Sequence, residues 1–240
     1  ASLPIPEAAA PLQGALTEAA QTGVFHEVWH VDVRSLYPSI ILANRLTPSN
    51  DRLGVFVRLL GDLRSFRLAA KDAMRTADPA QKDNLDALQG SFKILINSFY
   101  GYTAFAQGTF NDFGMASEIT RRGREILSRM RDFLLESGAT IVEMDTDGIY
   151  FTPPPGVTDM DAMRERVQAI LPEGIEIELD ASYKAMFCYK SKNYALLGWD
   201  DRISLTGAAL KSRGLEPFQR RYMREHIELL LTDREAETDA

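Results

Sequence analysis

Three aspartates in this sequence have the type and spacing for metal-assisted chemistry. Asp145 and Asp147 flank a threonine in Asp145-Thr146-Asp147-Gly148. Two carboxylates at one tight turn repel each other unless a cation lies between them, and oxygen-only ligands suit Mg²⁺ or Mn²⁺. The same four residues are also ordinary hairpin-turn composition, and a phosphohydrolase could use such a turn. Asp32 alters the balance. It closes the apolar, β-rich run Glu27–Val33, where a lone charge needs a partner, and Arg34-Ser35-Leu36-Tyr37-Pro38-Ser39-Ile40-Ile41 follows it. A strand that ends in a carboxylate and turns into a helix offers backbone N–H groups to phosphates. Tyr37 would then stand where a sugar docks, an aromatic wall able to exclude a 2′-hydroxyl. The competing account leaves Leu36 and Tyr37 as plain core.

Cations with matching spacing lie between these carboxylates in the sequence. On a helix, Lys93, Asn97 and Tyr100 fall within roughly 60° of one another, while Leu85, Leu88, Phe92, Leu95, Ile96 and Phe99 occupy another arc. Arg67 and Lys71, at i and i+4, share a face of the preceding helix. Together Arg67, Lys71 and Lys93 could grip a triphosphate, Arg bidentately and Lys as a point charge; a solvated basic face is the alternative. Lys190, Lys192 and Tyr194 alternate along a β-like stretch, which would put them on one strand face suited to a nucleic-acid backbone. Lys211, Arg213, Arg220 and Arg221 form a second basic cluster.

The elements that must hold these groups follow from periodicity. Glu27–Val33 reads as a strand, and Ser35 to Asn44 as a turn into a short helix. Leu59 to Met74 repeats at helical spacing, and Asp78-Pro79 caps a second helix, giving an antiparallel pair. Met115 to Glu136 is the clearest helix, with Gly138 ending it. Thr140–Met144 and Ile149–Thr152 are short strands around the Asp-rich turn. Thr158 and Asp161 start a further helix in capping-box style, Glu176–Leu179 and parts of 186–206 alternate, and Phe218 to Leu231 is helical. The pattern predicts an α+β fold: an antiparallel sheet backed by helices, with an inserted two-helix hairpin.

Bulk composition leaves this reading open. The 240 residues carry 45% hydrophobic and 25% charged side chains, ordinary for a globular protein. No apolar run approaches the roughly 20 residues of a membrane span, and the N-terminus lacks the basic and apolar regions of a signal peptide. The single cysteine, Cys188, fits a reducing compartment, and His26, His30 and His226 lack metal-ligand spacing and read as structural. The net charge of −7 looks wrong for a nucleic-acid binder, unless acidic residues sit at a metal centre while basic ones line a local groove.

In combination these stretches resemble the family B, or alpha-like, DNA polymerases. Asp32–Ile41 (DVRSLYPSII) looks like motif A, Lys93–Gly101 (KILINSFYG) like motif B, and Asp145–Gly148 (DTDG) like motif C. Lys192-Asn193-Tyr194 is similar to the family's Lys-rich motif near the primer duplex. The similarity runs from about Gly23 to Glu216 and is nearest the archaeal-like branch, with short two-helix fingers and a glycine after the second motif C aspartate.

The resemblance implies a template-directed DNA polymerase core that adds deoxynucleotides to a primer 3′-hydroxyl by a two-metal mechanism. Asp32 and Asp147 would ligate Mg²⁺, with Mn²⁺ as the alternative, while Asp145 takes an outer role and Glu178, with Glu176 as the second choice, supports a metal. Ser35, Leu36 and Tyr37 would meet the triphosphate and sugar, with Tyr37 the sugar gate. Arg67, Lys93 and, more loosely, Lys71 would hold the triphosphate; Asn97 and Tyr100 would line the base-pair pocket. Lys190, Lys192 and Tyr194 would contact primer–template DNA.

The implied organisation is a lead-in at 1–23, palm at 24–57, fingers at 58–101, palm again at 102–217, and the start of a thumb-like helix or a frayed tail at 218–240. The resemblance also implies an upstream exonuclease domain and a downstream thumb, neither of which fits within these 240 residues, so the expectation is either a fragment of a longer protein or a reduced polymerase. If the source is prokaryotic, the expected location is cytoplasmic with nucleoid association. A weak or inactive nucleic-acid-binding relative is the alternative function.

Overall fold

The computed structural model describes residues 17–211 and 214–232. Most of the expected lead-in (1–16) and Arg213 of the second basic cluster lie outside the described residues. The chain forms two compact units. Of the described residues, one unit comprises 35–124 and 172–175; the other comprises 17–34, 125–171, 176–211 and 214–232.

The second unit is built on a seven-stranded antiparallel sheet in the order β1-β3-β4-β2-β5-β6-β7. Its strands are β1 (Glu18–Ala19), β2 (Gly23–Val33), β3 (Thr140–Met144), β4 (Gly148–Thr152), β5 (Ile177–Lys190), β6 (Asn193–Leu197) and β7 (Ile203–Thr206). The long central strand β2 begins at Gly23, four residues earlier than the alternation predicted, and β1 lies within the expected lead-in.

One sheet face buries Val28, Val142, Tyr150, Met186, Cys188, Tyr194 and Leu196. A separate cluster packs α6 (Pro217–Leu231) onto the far end of the sheet, with Ile227 and Leu231 against Ala185, Ala195 and Leu197. The helix α5 (Met160–Ala169) is capped by Asp159, whose carboxylate accepts from the Ala162 N–H at 2.9 Å. Asp159, not Thr158, is therefore the cap, because its short carboxylate reaches the first-turn N–H directly.

The first unit is helical: α1 (Leu36–Ala43), α2 (Val55–Ala73), α3 (Pro79–Thr103) and the first half of α4 (Phe113–Glu136). Two ring contacts fix α2 and α3 as an antiparallel pair: Phe56 on Phe99 at 4.8 Å and Phe66 on Phe92 at 6.0 Å between centroids. Asp78 caps α3 by accepting from Gln81 N–H at 2.9 Å, with Pro79 at the first helical position as expected. The predicted core arc of α3 is only partly covered. Ile96 is buried, whereas Leu88 and Leu95 are about half exposed, because a two-helix pair has no third layer to cover its flanks.

Candidate active site

Strand pairing, not sequence proximity, assembles the carboxylates. On β2, Asp32 lies opposite Gly148 of β4 on one side and Glu178 of β5 on the other. The next residue, Val33, donates its N–H to the Asp147 carbonyl at 2.8 Å, which ties the end of β2 to the β3–β4 turn. That turn is the expected tight hairpin, with Asp145 N–H donating to the Gly148 carbonyl at 2.9 Å. Asp147 is exposed at its tip, while Asp145 is half-buried.

Glycine at 148 is a geometric requirement. A Cβ there would fall 2.6 Å from His30 Nε2, 3.0 Å from the Val31 carbonyl and 3.2 Å from Asp32 Oδ1. The Asp32 carboxylate and the His30 imidazole therefore lean over the bare backbone beside Asp147. His30 also stacks on Tyr150, with centroids 4.2 Å apart. Composition alone gave His30 no role. Its place two residues before Asp32 on a period-2 strand, hence on the same face, was the available signal.

The neighbouring acids are neutralised by nearby cations. Glu178 pairs with Arg34 Nε at 2.5 Å, and Arg34 also meets Glu176 at 3.3 Å. Asp145 Oδ1 accepts from the Thr146 N–H at 2.7 Å and lies 3.2 Å from Lys192 Nζ.

A further carboxylate, Glu143 on β3, is fully buried. It accepts from the Lys192 N–H at 2.8 Å and from the Cys188 thiol at 3.6 Å. Burial raises the Glu143 pKa, and burial followed by the adjacent Glu143 pushes Cys188 to about 12. Cys188 is thus a protonated donor, not a nucleophile. The argument that singled out Asp32, a lone charge in an apolar strand, applies equally to Glu143 and was the signal for it.

Among the described residues, no group of three or more His, Cys, Asp or Glu side chains forms a metal cage. The donor set nevertheless fits Mg²⁺. Asp32 and Asp147 supply only oxygen, and Mg²⁺ is held by one or two carboxylates plus substrate phosphates and water, not by an all-protein cage.

The expected nucleotide-contact residues lie in the helical unit. Ser35 precedes α1 at φ 48°, and its side chain makes no capping hydrogen bond. Leu36 is buried and Tyr37 half-buried. The Tyr37 ring rests on Tyr100, centroids 4.5 Å apart, and burial raises the Tyr100 pKa against the opposing effect of Arg124. Arg67 Nε reaches Gln89 Oε1 at 3.4 Å. Since Gln89 and Lys93 are i and i+4 on α3, Arg67 lies within one helical turn of Lys93 along the hairpin. Antiparallel packing carries Lys71 one turn further away. Lys71, Lys93 and Asn97 are exposed.

The expected shared face for Lys190, Lys192 and Tyr194 is not present. Strand β5 ends at Lys190, Ser191 and Lys192 form a hairpin turn with Lys192 at φ 59°, and Tyr194 belongs to β6. A left-handed turn residue breaks the period-2 alternation on which the reading rested. Lys190 and Lys192 are exposed, whereas Tyr194 is buried and its hydroxyl donates to Tyr150 Oη at 3.3 Å.

Comparison with known proteins places these features in context. The sequence model described as DNA polymerase family B matches residues 45–240, beginning C-terminal to Asp32. The chain is 29% identical to a "DNA polymerase" of Thermococcus gorgonarius, over 83% of this chain and 30% of that protein. It is 28% identical to "DNA polymerase 1" of Pyrococcus abyssi, over 91% of this chain and 32% of that protein. The chain thus spans about a third of the length of these curated relatives. Its fold matches the family B DNA polymerase of Pyrobaculum calidifontis with a TM-score of 0.65 at 22% identity, covering 91% of this chain and 34% of that one.

Proposed function

The chain belongs to DNA polymerase family B, and from that membership we propose that it is the nucleotidyl-transfer core of a template-directed DNA polymerase. On this reading residues 24–57 and 102–217 are palm, 58–101 are fingers, and 218–240 open a thumb-like element. The substrates are primer–template DNA and deoxynucleoside triphosphates. The observation that carries the proposal is the placement of Asp32 over Gly148, with Val33 bonded to Asp147. Two carboxylates far apart in sequence are thereby held at one end of one sheet.

Asp32 and Asp147 would hold Mg²⁺. Two such ions would supply a lowered pKa at a primer 3′-hydroxyl and charge neutralisation at the leaving pyrophosphate. The chain's own groups supply the positioning on which phosphoryl transfer depends. The α1 N-terminus after Ser35 presents backbone donors to phosphate oxygens. Arg67 and Lys93 take the triphosphate, with Lys71 a more distant contributor. Tyr37, braced by Tyr100, faces the sugar and gates the 2′-hydroxyl. Asn97 lies one turn from Lys93, where it can meet the base. Lys190 and Lys192 are the candidate duplex contacts. Asp145 and Glu178 serve the site through their paired cations, Lys192 and Arg34.

Primer extension with Mg²⁺ tests the proposal. Asp147→Asn should lose about a thousand-fold or more in rate, as expected when a group that stabilises the transition state by ~4 kcal/mol is removed. Equal incorporation by the wild type and this variant would exclude the assignment.

A further inference from the structure

We infer that Glu143 is a positioning residue for the Asp145–Asp147 turn, acting through the backbone and ammonium of Lys192. The inference rests on the reading of that turn as the reaction site. A fully buried carboxylate is costly unless its lone pairs are met, and the two donors that meet this one come from the β5–β6 hairpin: Cys188 and the Lys192 backbone.

Lys192 itself is strained. Its φ of 59° is a left-handed conformation that is uncommon for a residue with a Cβ. The Glu143 bond to its N–H supplies a constraint. Asn193 reinforces it, donating to the Ser191 carbonyl at 2.9 Å and accepting from Ala209 N–H at 2.8 Å.

From this fixed backbone the Lys192 ammonium reaches the turn, 3.2 Å from Asp145 Oδ1 and 3.2 Å from Thr146 Oγ1. Asp145 Oδ1 also accepts the Thr146 N–H at 2.7 Å. The connection runs from the Glu143 carboxylate to the Lys192 backbone, from the Lys192 ammonium to Asp145, and so to the peptide that leads into Asp147. The cation offsets the repulsion between Asp145 and Asp147, and the buried carboxylate sets where that cation stands. Lys192 thereby gains a role at the turn distinct from contact with a duplex.

The test is a double-mutant cycle on primer extension, with melting temperature measured for every variant. Glu143→Leu should lower kcat about ten-fold with KM for the nucleotide nearly unchanged, the signature of lost transition-state positioning. Glu143→Gln, whose amide oxygen still accepts the Lys192 N–H, should recover most of that loss. In a Lys192→Gly background, where glycine adopts the left-handed turn freely and carries no ammonium, adding Glu143→Leu should cost less than about two-fold. Multiplying effects, or a melting-temperature change with kcat intact, overturn the inference.

Lys192→Met guards against misfolding of Glu143→Leu, since it keeps the backbone bond and removes only the ammonium. It should lower kcat and accelerate hydrogen exchange at the Thr146 amide at unchanged melting temperature; no change in either overturns the inference. If the wild type extends no primer with Mg²⁺ or Mn²⁺, the proposed function fails, and exchange at Thr146 still decides. Faster exchange in Glu143→Leu but not in Glu143→Gln upholds the positioning role, and unchanged exchange removes it.

Discussion

The Val33 N–H donates to the Asp147 carbonyl at 2.8 Å, so the residue after one candidate metal ligand is hydrogen-bonded to the other. Asp32 and Asp147 are thus carried on a single bonded unit at the end of β2, not on two loops that must find each other. That bond ties the turn to the sheet, and a site whose ligands must stand ready before substrate arrives needs such support.

Gly148→Ala should uncouple activity from stability. The added methyl would meet His30 Nε2 at 2.6 Å and Asp32 Oδ1 at 3.2 Å. Overpacking of this kind costs about 1–3 kcal/mol, which thermal melting would register. Because the groups displaced are His30 and Asp32, extension rate should fall by more than the stability loss explains at a temperature where the variant stays folded. Trimming the imidazole with His30→Ala in the same chain should restore melting more fully than rate. Full activity in Gly148→Ala would mean that Asp32 is not positioned over that backbone.

The Tyr37 ring is held from two sides, by Tyr100 and by the bare Cα of Gly123 on α4. A Cβ at 123 would lie 3.0 Å from Tyr37 Cε1 and 3.4 Å from Leu36 Cδ2. Tyr37→Ala should raise ribonucleotide incorporation at least about ten-fold if the ring is the sugar gate. Gly123→Ala shifts the ring by only tenths of an ångström and should change discrimination by about two- to five-fold, since a 1 Å misplacement can cost about a hundred-fold. Competition between ribo- and deoxynucleotides on one template measures both. Unchanged selectivity in Tyr37→Ala would remove the gate.

Local chemistry made much of this arrangement legible. The Asp145–Gly148 turn, the Asp78-Pro79 helix start and the long helix α4 all follow from short-range rules. Long-range register was not legible: nothing in the run around Asp32 says that Gly148 will be its partner on one side and Glu178 on the other. The Lys190–Tyr194 stretch misled because Ser191-Lys192 contains none of the glycine, asparagine or proline that signals a hairpin; the left-handed lysine is held by Glu143 from another strand. Glu143 and His30 are not legible as site residues, because an isolated polar residue in an apolar strand shows its purpose only once its cross-strand neighbours are known.

Acid stability should carry a signature of Glu118 on α4. Hydrogen bonds from Arg121 first and then Arg122, at 2.8 and 2.7 Å, lower its pKa to about 2. With the folded value below the ordinary 4.5, its contribution is full above about pH 4.5 and is lost as pH falls toward about 2. Solvent at the partly exposed guanidinium groups limits the pair to about 1 kcal/mol or less. Glu118→Gln should therefore lower the melting temperature slightly at pH 7 and converge with wild type near pH 2. A difference that widens on acidification would contradict the sign.

Tyr194 and Lys190 should separate stability from duplex binding. The Tyr194 hydroxyl is buried and donates to Tyr150 at 3.3 Å, with ring centroids 5.1 Å apart. Tyr194→Phe leaves the ring packing intact and removes one buried hydrogen bond, a loss of about 0.5–1.5 kcal/mol, while affinity for primer–template DNA should hold. Lys190 is exposed at the end of β5, so Lys190→Ala should leave melting unchanged. If it meets a phosphate, the dependence of log affinity on log salt should shallow by about one. Anisotropy titrations from low to moderate salt measure that slope directly. A Tyr194→Phe variant with wild-type stability and weakened DNA binding would place the tyrosine on the duplex and reverse this division of labour.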